Sequence, residues 1–255
     1  MTQPFLSAIL PAYNEAGSIR RSLVAMRAFL DAQDYAYEVI VSADGDDATP
    51  EIVRDMARDW PNLQLSAERG RHGKGHGLRR GMALAQGEIV GFLDADYKTA
   101  IDEVARFLPW FDKGYDIVVG SRALADSRIE RYQPAYRQVG ARLFAIAMHT
   151  IVGLNDIADT QCGFKFFTRR AARAIFERAK IDGYMCDVEI LFLAERLGLH
   201  VKQIGISWRD DGDSRLALVR GNVRNGCDLF VIRFGRYGLL PVPAASSATP
   251  VQSEG

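Results

Sequence analysis

Residues 89–96 read Ile-Val-Gly-Phe-Leu-Asp-Ala-Asp, an apolar run that ends in two carboxylates one residue apart. A run without polar residues at alternate positions is typical of a strand that is buried on both faces. Asp94 and Asp96 leave this strand at its carboxyl end and offer oxygen ligands to a hard divalent cation. Mg²⁺ or Mn²⁺ suits such ligands and keeps positions free for phosphate oxygens. The Asp-x-Asp pattern alone is weak evidence, because paired acids after a strand often form only a solvated turn.

The segments on either side alternate between apolar runs and helical patterns. Strands are predicted at residues 5–10, 37–42, 63–66, 89–93, 116–119, 164–167 and 201–207. A helix is predicted from about Glu15, and another is expected to be capped by Thr49 with Pro50 in its first turn. Apolar strands that alternate with helices indicate an α/β fold, a Rossmann-like and mostly parallel sheet flanked by helices.

Polar clusters follow four of the predicted strands. They are Tyr13-Asn14-Glu15, Asp44 to Asp47, Asp94 to Asp96 and Ser121-Arg122. Ligands of parallel sheets bind beyond the carboxyl ends of the strands, so we expect these clusters to converge on one cleft.

Composition limits the class of protein. The chain has 255 residues, 48% hydrophobic and 25% charged, with a formal net charge of +0. These values are ordinary for a globular enzyme and argue against a nucleic-acid binder. The three cysteines, Cys162, Cys186 and Cys227, are dispersed, which fits a reducing cytosol. No signal peptide is recognisable, and the longest nearly uncharged apolar stretch, residues 143–154, is too short to span a bilayer.

The domain organisation is predicted to be simple. Residues 1–240 are expected to form a single domain, with a strand-rich half at 1–121 and a more helical half at 122–240. Residues 241–255 are rich in Pro, Ala and Ser and are expected to be disordered. Residues 218–237 mix apolar residues with arginines. They are predicted to form an amphipathic helix on an anionic membrane surface, and a core-packing helix with a solvated face is equally compatible.

Four motifs occur in an order that resembles family 2 glycosyltransferases with the GT-A fold. They are Leu10-Pro11-Ala12-Tyr13-Asn14-Glu15, Ala43-Asp44-Gly45-Asp46-Asp47, Arg71-His72-Gly73-Lys74-Gly75 and Asp94-Ala95-Asp96. The resemblance implies a nucleotide-diphospho-sugar transferase fold whose first half binds the donor. The residues that it assigns to the donor are Pro11, Tyr13, Glu15, Asp44, Lys74, Asp94, Ala95, Asp96 and, further on, Arg215. Ala43 stands where the family more often has an acid.

The glycine-rich segment at residues 70–77 also has a physical interpretation of its own. Glycines let backbone N–H groups approach a phosphate or ribose, and Lys74 adds positive charge. No Ser or Thr follows Lys74, so the segment is not a P-loop. His72 and His76 are interpreted as surface residues rather than as metal ligands.

The second half resembles the dolichyl-phosphate and polyprenyl-phosphate sugar synthases within that family. The similar positions are Gly120-Ser121-Arg122, Arg137, Asp159 to Lys165, Tyr184 with Asp187-Val188-Glu189, Trp208, Ser214 and Arg215. The resemblance implies a lipid-phosphate acceptor that is bound by Arg122, Arg137 and Lys165. Surface ion pairs are the alternative for the two arginines, and Asp159 and Lys165 could instead be partners of each other.

These expectations describe an inverting, metal-dependent hexosyltransferase. Mg²⁺ or Mn²⁺ would link Asp94 and Asp96 to the donor diphosphate, with UDP-glucose as the first expected donor and GDP-mannose as the second. A lipid phosphate is already ionised and needs no strong base. If the acceptor is a hydroxyl, Asp159 and Asp187 are the candidate bases.

Two further alternatives stay open. The chain could be a transferase for polysaccharide or glycolipid synthesis, or a catalytically silent nucleotide-sugar-binding protein. For the lipid-phosphate enzyme we expect a cytoplasmic protein that is peripherally associated with the inner face of a membrane, with no nucleic acid as a partner.

Overall fold

The computed structural model of the protein describes residues 3–129, 150–209 and 220–238. Within these residues the strands are β1 (Leu6–Tyr13), β2 (Tyr37–Asp44), β3 (Leu63–Glu68), β4 (Ile89–Leu93), β5 (Ile117–Ser121), β6 (Arg128–Ile129), β7 (Phe164–Thr168), β8 (Val201–Gly205) and β9 (Ser207–Trp208). The helices are α1 (Ile19–Leu30), α2 (Thr49–Ala57), α3 (Lys74–Leu84), a 3₁₀ helix (Ile101–Arg106), α4 (Leu108–Asp112), α5 (Arg169–Phe176), α6 (Cys186–Arg196) and α7 (Arg220–Phe234).

The central sheet has the strand order β3-β2-β1-β4-β7-β5-β8. β1 pairs in parallel with β2 and β4, and β5 pairs in parallel with β8. β7 runs antiparallel to both of its neighbours, with Phe164 opposite Leu93. Because β7 is reversed, the residues that precede it lie at the same edge of the sheet as the carboxyl end of β4. The sheet is therefore mostly parallel, as predicted, and its reversed strand brings a second-half segment to Asp94.

The core lies on both faces of the sheet. One face packs against apolar residues of α3, α5, α6 and α7, including Leu78, Ile175 and Ile232. The other packs against α1, α2 and the 3₁₀ helix, including Leu23 and Val53. Burial of both faces explains why the strands are apolar throughout rather than alternating.

Several predicted boundaries were wrong by a few residues, each for a local reason. β1 continues through Pro11 to Tyr13. β4 pairs with β1 only as far as Ile9, so the missing N–H of Pro11 costs no hydrogen bond to β4. α1 begins at Ile19 rather than near Glu15. The N–H of Glu15 donates to Oγ1 of Thr49 at 2.9 Å, so Thr49 holds the preceding loop and does not cap α2.

α7 confirms that residues 218–237 contain a helix, and its side chains divide between core and surface. Leu229 and Ile232 are buried, whereas Phe230, Val231 and Phe234 are 58%, 44% and 73% exposed. No helix among the described residues is long and apolar enough to cross a membrane. The segment at 241–255, which was expected to be disordered, lies outside the described residues.

Candidate active site

Asp94 and Asp96 lie at the carboxyl end of β4 and remain open to solvent. Their side chains are 47% and 35% exposed. The chain turns sharply after them, since Tyr97 has a φ of 59°, a left-handed value that is uncommon for a large side chain. Lys98 Nζ lies 3.1 Å from Oδ2 of Asp96. The two carboxylates therefore face the cleft and are accessible to a cation.

Gly163 packs directly against Asp94. The N–H of Asp94 donates to the carbonyl of Gly163 at 3.1 Å. A Cβ on Gly163 would collide with the Asp94 carboxylate. The absence of a side chain at residue 163 is thus what leaves room for the acid.

Beneath Asp94 lie three buried groups, Lys74, Lys165 and Asp187, which we call the floor charges. Their side chains are 11%, 0% and 3% exposed. Lys74 Nζ lies 2.9 Å from Oδ1 of Asp94 and 2.8 Å from Oδ2 of Asp187. Lys165 Nζ donates to Oδ1 of Asp187 and to the carbonyl of Cys162, both at 2.6 Å. The floor charges therefore connect α3, β7 and α6 to the acid at the end of β4.

The charges shift the pKa values of this group in opposite directions. Burial alone would raise the pKa of Asp187, but Lys165 and Lys74 lower it. Burial alone would lower the pKa of Lys74, but Asp187 and Asp94 raise it well above the usual range. Nearly half of the Asp94 side chain is exposed, but desolvation by the surrounding protein raises its pKa. The negative charges of Asp96 and Asp187 raise this pKa further, and the positive charge of Lys74 opposes the rise. A cation at Asp94 would oppose that rise.

Arg122 and Asp159 form an ion pair at the mouth of the cleft, which we call the rim pair. Arg122 Nε and Nη2 donate to the two oxygens of Asp159 at 2.7 and 2.9 Å. This forked geometry, together with the Arg122 N–H at 3.0 Å, outweighs burial and lowers the pKa of Asp159. The Arg122 side chain remains 32% exposed, and its guanidinium lies 5.5 Å from the centre of the Trp208 ring.

Asp94, which the floor charges contact, and Arg122 of the rim pair line one small cleft. Its lining residues are Asp94, Asp96, Lys98, Thr99, Arg122, Cys162, Gly163 and Trp208. Burial raises the pKa of the Cys162 thiol to about 12, so this cysteine is a packing residue and not a nucleophile.

Three predicted roles do not fit the geometry. Lys165 was predicted to bind an acceptor phosphate, but its side chain is 0% exposed and is paired with Asp187. The alternative prediction, that Asp159 and Lys165 pair with each other, is also wrong, because Asp159 pairs with Arg122 and Lys165 pairs with Asp187. Asp159 and Asp187 were candidate bases, but Asp159 is paired with Arg122 and Asp187 with Lys74.

Two of the predicted donor residues, Tyr13 and Asp44, end neighbouring strands but differ in accessibility. Tyr13 is 39% exposed at the end of β1, with the Arg71 guanidinium 5.0 Å from its ring centre. Asp44 is next to it in register but only 5% of its side chain is exposed, and Arg80 donates to it at 3.1 Å. Glu15 accepts from Ser18 Oγ at 2.5 Å.

The backbone of the glycine-rich segment was predicted to face a phosphate, and this is wrong for two of its N–H groups. Gly75 and His76 donate to the carbonyl of Asp182 at 2.8 and 3.4 Å. A Cβ on Gly73 or Gly75 would collide with the backbone of residues 181–182. These glycines serve close packing between the start of α3 and the segment before α6.

Sequence reasoning did not single out Gly163 and Lys98, which line the cleft, or Arg80, which contacts Asp44. Gly163 lies within the motif Asp159 to Lys165, and Lys98 is two residues from Asp96, so the sequence around both residues already indicated the site. Arg80 had no such indication, because its contact with Asp44 joins α3 to β2. Arg137 and Arg215 lie outside the described residues.

Comparison with known proteins places the chain in a family. Residues 7–176 match Glycosyl transferase family 2. Dolichyl-phosphate beta-glucosyltransferase ALG5A of Trichomonas vaginalis is 32% identical over 251 residues, which cover 92% of this chain and 75% of the relative. Dolichyl-phosphate beta-glucosyltransferase of Drosophila melanogaster is 35% identical over 249 residues, covering 89% and 74%.

A solved structure shares the fold. Glucosyl-3-phosphoglycerate synthase from Mycobacterium tuberculosis, in complex with Mn²⁺, UDP and glucosyl-3-phosphoglycerate, superposes with a TM-score of 0.62 at 20% identity, covering 93% of this chain and 81% of that one. This likeness confirms the predicted GT-A fold class. The chain therefore belongs to glycosyl transferase family 2 and is a glycosyltransferase.

Proposed function

We propose that the protein transfers glucose from UDP-glucose to a dolichyl- or polyprenyl-type lipid phosphate, with inversion at the anomeric carbon. The observation that carries this proposal is that Asp94, Asp96 and Arg122 line the same cleft. Such a cleft offers acidic ligands for a cation and a guanidinium for an anion side by side. Relatives that match about nine-tenths of the chain at 32–35% identity are dolichyl-phosphate beta-glucosyltransferases, which supports this donor sugar and acceptor class.

The donor set fits Mg²⁺ or Mn²⁺. Asp94 and Asp96 provide only carboxylate oxygens, and both side chains are partly exposed to the cleft. When bound there, the cation would neutralise the charge of the departing nucleotide diphosphate. Lys74 holds Oδ1 of Asp94, which leaves Oδ2 as the oxygen that faces away from the ammonium.

The floor charges position Asp94. Lys165 fixes Asp187, Asp187 fixes Lys74, and Lys74 contacts Asp94. Because these side chains are almost fully buried, each has little freedom to move. The chain of contacts therefore holds the first acid in a defined orientation before the donor arrives, which is the preorganisation that catalysis by electrostatic stabilisation requires.

The state of the candidate bases favours a phosphate acceptor over a hydroxyl. Asp187 is paired with two lysines, and Asp159 is held by the fork of Arg122. Neither carboxylate is placed to take a proton from an acceptor. A lipid phosphate carries its negative charge already, so Arg122 needs only to bind and orient it.

A lipid acceptor requires contact with a membrane, and α7 has the surface for it. Phe230 and Phe234 are exposed with their rings stacked at 6.4 Å, and Arg233 and Arg236 are exposed beside them. Apolar side chains next to arginines suit the boundary of an anionic bilayer. Tyr237 is buried and donates to Glu189 at 2.9 Å, which anchors the end of this segment to α6. We infer peripheral association with the cytoplasmic face of a membrane through α7.

The direct test is a donor and acceptor screen with the full chain. UDP-glucose, GDP-mannose and UDP-N-acetylglucosamine are each combined with a short polyprenyl phosphate, and the products are identified by mass and anomeric configuration. The matched control acceptor is the corresponding polyprenol without phosphate. We expect one β-linked hexose to be added from UDP-glucose to the phosphate only. Transfer to the polyprenol or to sugar hydroxyls would overturn the proposed acceptor, and donor binding without transfer to any acceptor would favour a silent binding protein.

A further inference from the structure

A second cluster of possible metal ligands lies away from Asp94 and Asp96. Glu68 ends β3, His72 follows in the loop, and His76 lies in the first turn of α3. One ligand atom from each of these three residues lies within 4.8 Å of the others. Their side chains are 41%, 42% and 34% exposed, so a cation from solvent can reach them.

The distances suit a small cation with nitrogen and oxygen ligands. Nε2 of His76 and Nε2 of His72 lie 2.8 and 3.8 Å from Oε2 of Glu68. Ligands of tetrahedral Zn²⁺, at bond lengths of 2.0–2.1 Å, are separated by about 3.3 Å, which these two distances bracket. The carbonyl of Arg69 lies 2.8 Å from Nε2 of His72 and could supply a fourth oxygen.

Turns and hydrogen bonds shape the backbone that carries the cluster. Gly70 and Gly73 have φ values of +86° and +111°, which allow the loop to turn back between β3 and α3. The N–H groups of Gly75 and His76 donate to Asp182, which anchors the start of the helix. The two imidazole rings then lie 5.0 Å apart on the same side of the loop. These turns and hydrogen bonds therefore bring the three ligand atoms close together.

We propose that Glu68, His72 and His76 form a binding site for a borderline divalent cation, Zn²⁺ in the first instance, that is separate from the site at Asp94 and Asp96. Two imidazoles and one carboxylate are ligands that zinc accepts, whereas Mg²⁺ prefers oxygen ligands alone.

The surroundings limit the affinity. Arg80 Nη1 lies 2.9 Å from Oε2 of Glu68, so the cation must compete with an existing ion pair. The site also faces the positive end of α3. We therefore expect binding of about micromolar strength, not the much tighter binding of closed structural zinc sites.

Cation binding would also pin the loop that leads to Lys74. Arg69 and Arg71 are exposed in this loop and are therefore candidate trypsin sites. A cation that ties His72 to Glu68 should slow cleavage there, since proteolysis follows local opening. This gives a readout that does not depend on transferase activity.

The test is isothermal titration of the metal-free full chain with Zn²⁺. We expect a Zn²⁺ site of about micromolar affinity that is lost or weakened by roughly 100-fold in His72→Asn/His76→Asn and in Glu68→Gln. His200→Asn is the matched control, because this histidine is 76% exposed on another surface. Circular dichroism checks that each variant is folded. Zinc should protect the unmutated chain from trypsin and should not protect the double histidine variant.

Two further arms separate this proposal from its alternatives. Asp94→Asn/Asp96→Asn should leave Zn²⁺ binding unchanged, so the result does not depend on the proposed transferase mechanism. Co²⁺ in place of Zn²⁺ should show no thiolate-to-cobalt absorption, which would mark the exposed Cys227 as a ligand. Unchanged Zn²⁺ binding in the histidine variant, or its loss in the aspartate variant, would overturn the proposal.

Discussion

The floor charges and the rim pair are both ion pairs of basic and acidic side chains near Asp94, but they differ in burial. The side chains of Lys165 and Asp187 are 0% and 3% exposed, whereas that of Arg122 is 32% exposed. Both oxygens of Asp187 are paired with lysines. This buried carboxylate is therefore not open to a ligand from solvent. Arg122 keeps part of its guanidinium open toward the cleft. The difference indicates that the floor charges fix geometry, while the rim pair can exchange an internal partner for a ligand anion.

The largest expected effect comes from breaking the floor charges. Lys165→Met removes the partner of a buried carboxylate and should lower the free energy of unfolding by about 3–5 kcal/mol. Urea titration measures this value. Arg54→Met is the control, because Arg54 and Glu51 form a pair whose side chains are 58% and 66% exposed, and its loss should cost less than about 1 kcal/mol.

A double variant sharpens the same comparison. Lys165→Met/Asp187→Leu removes both charges of the buried pair and should recover much of the stability lost in Lys165→Met. The double variant should nevertheless be inactive, because Lys74 no longer has Asp187 to hold it beside Asp94. A single-variant loss no larger than that of Arg54→Met would show that the floor charges contribute no more than a surface pair.

The next effect concerns Gly163, which packs directly against Asp94. A Cβ in Gly163→Ala would overlap the Asp94 carboxylate and displace it. A displacement of about 1 Å at a reacting centre can cost roughly 100-fold in rate, and we expect a loss of that size in kcat. Gly226→Ala in α7 is the control, since no atom lies within 4 Å of the added Cβ. Equal rates for the two variants would show that Asp94 does not depend on the space at residue 163.

Sequence patterns were sufficient to predict the mostly parallel sheet, and residues of two of the four polar clusters, Asp94, Asp96 and Arg122, line one cleft at its edge. Uniformly apolar strands indicated burial on both faces, and the polar clusters after them indicated a cleft beyond the strand ends. The reversed direction of β7 was not predictable from its sequence, because Phe164 to Phe167 reads the same as a parallel or an antiparallel strand. That direction decides which residues stand beside Asp94.

Individual partners in the cleft were harder to predict than its existence. Lys165 stood in a motif that resembled an acceptor site, yet it is buried because α6 places Asp187 beside it. No spacing in the sequence reports that contact, which joins residues 22 positions apart. Arg122 kept its predicted place at the cleft because it directly follows β5, and strand ends are the positions that sequence patterns locate best.

A smaller effect is expected from the rim pair. Arg122→Lys keeps the charge but loses the fork that binds two oxygens at once. Loss of a charge-assisted contact costs about 1.5–3 kcal/mol, so KM for the lipid phosphate should rise roughly 10- to 100-fold with less change for the donor. Arg137→Ala is predicted from the sequence to act in the same way.

Arg106→Lys is the control for the rim pair, because Arg106 pairs with Glu103 and Asp126 outside the cleft. It should leave both KM values unchanged. Equal increases for donor and acceptor in Arg122→Lys would indicate a general structural role for the rim pair and would remove its difference from the floor charges.

The smallest effect per residue is expected at the end of α7, where Arg233 and Arg236 are exposed. Each arginine near an anionic membrane contributes about 1 kcal/mol, and salt weakens this attraction. Arg233→Glu/Arg236→Glu should therefore reduce flotation with anionic vesicles, and added salt should do the same to the unmutated chain. Activity on a water-soluble, short-chain acceptor should survive the double change.

Arg20→Glu/Arg54→Glu is the matched control for α7, since both residues are exposed on α1 and α2. It should leave vesicle binding largely intact. Vesicle binding that is absent, or that is indifferent to salt and to the α7 variant, would mean that this helix serves the core alone.

The most direct test of the central claim is the initial rate of glucose transfer from UDP-glucose to a short polyprenyl phosphate before and after metal removal. We predict no transfer in excess EDTA and full recovery of the unmutated chain with Mg²⁺ or Mn²⁺. Asp94→Asn and Asp96→Asn should remain folded and should not recover, because each loses a charged ligand without a change of shape. Full activity in excess EDTA, or unchanged activity in either variant, would contradict the account.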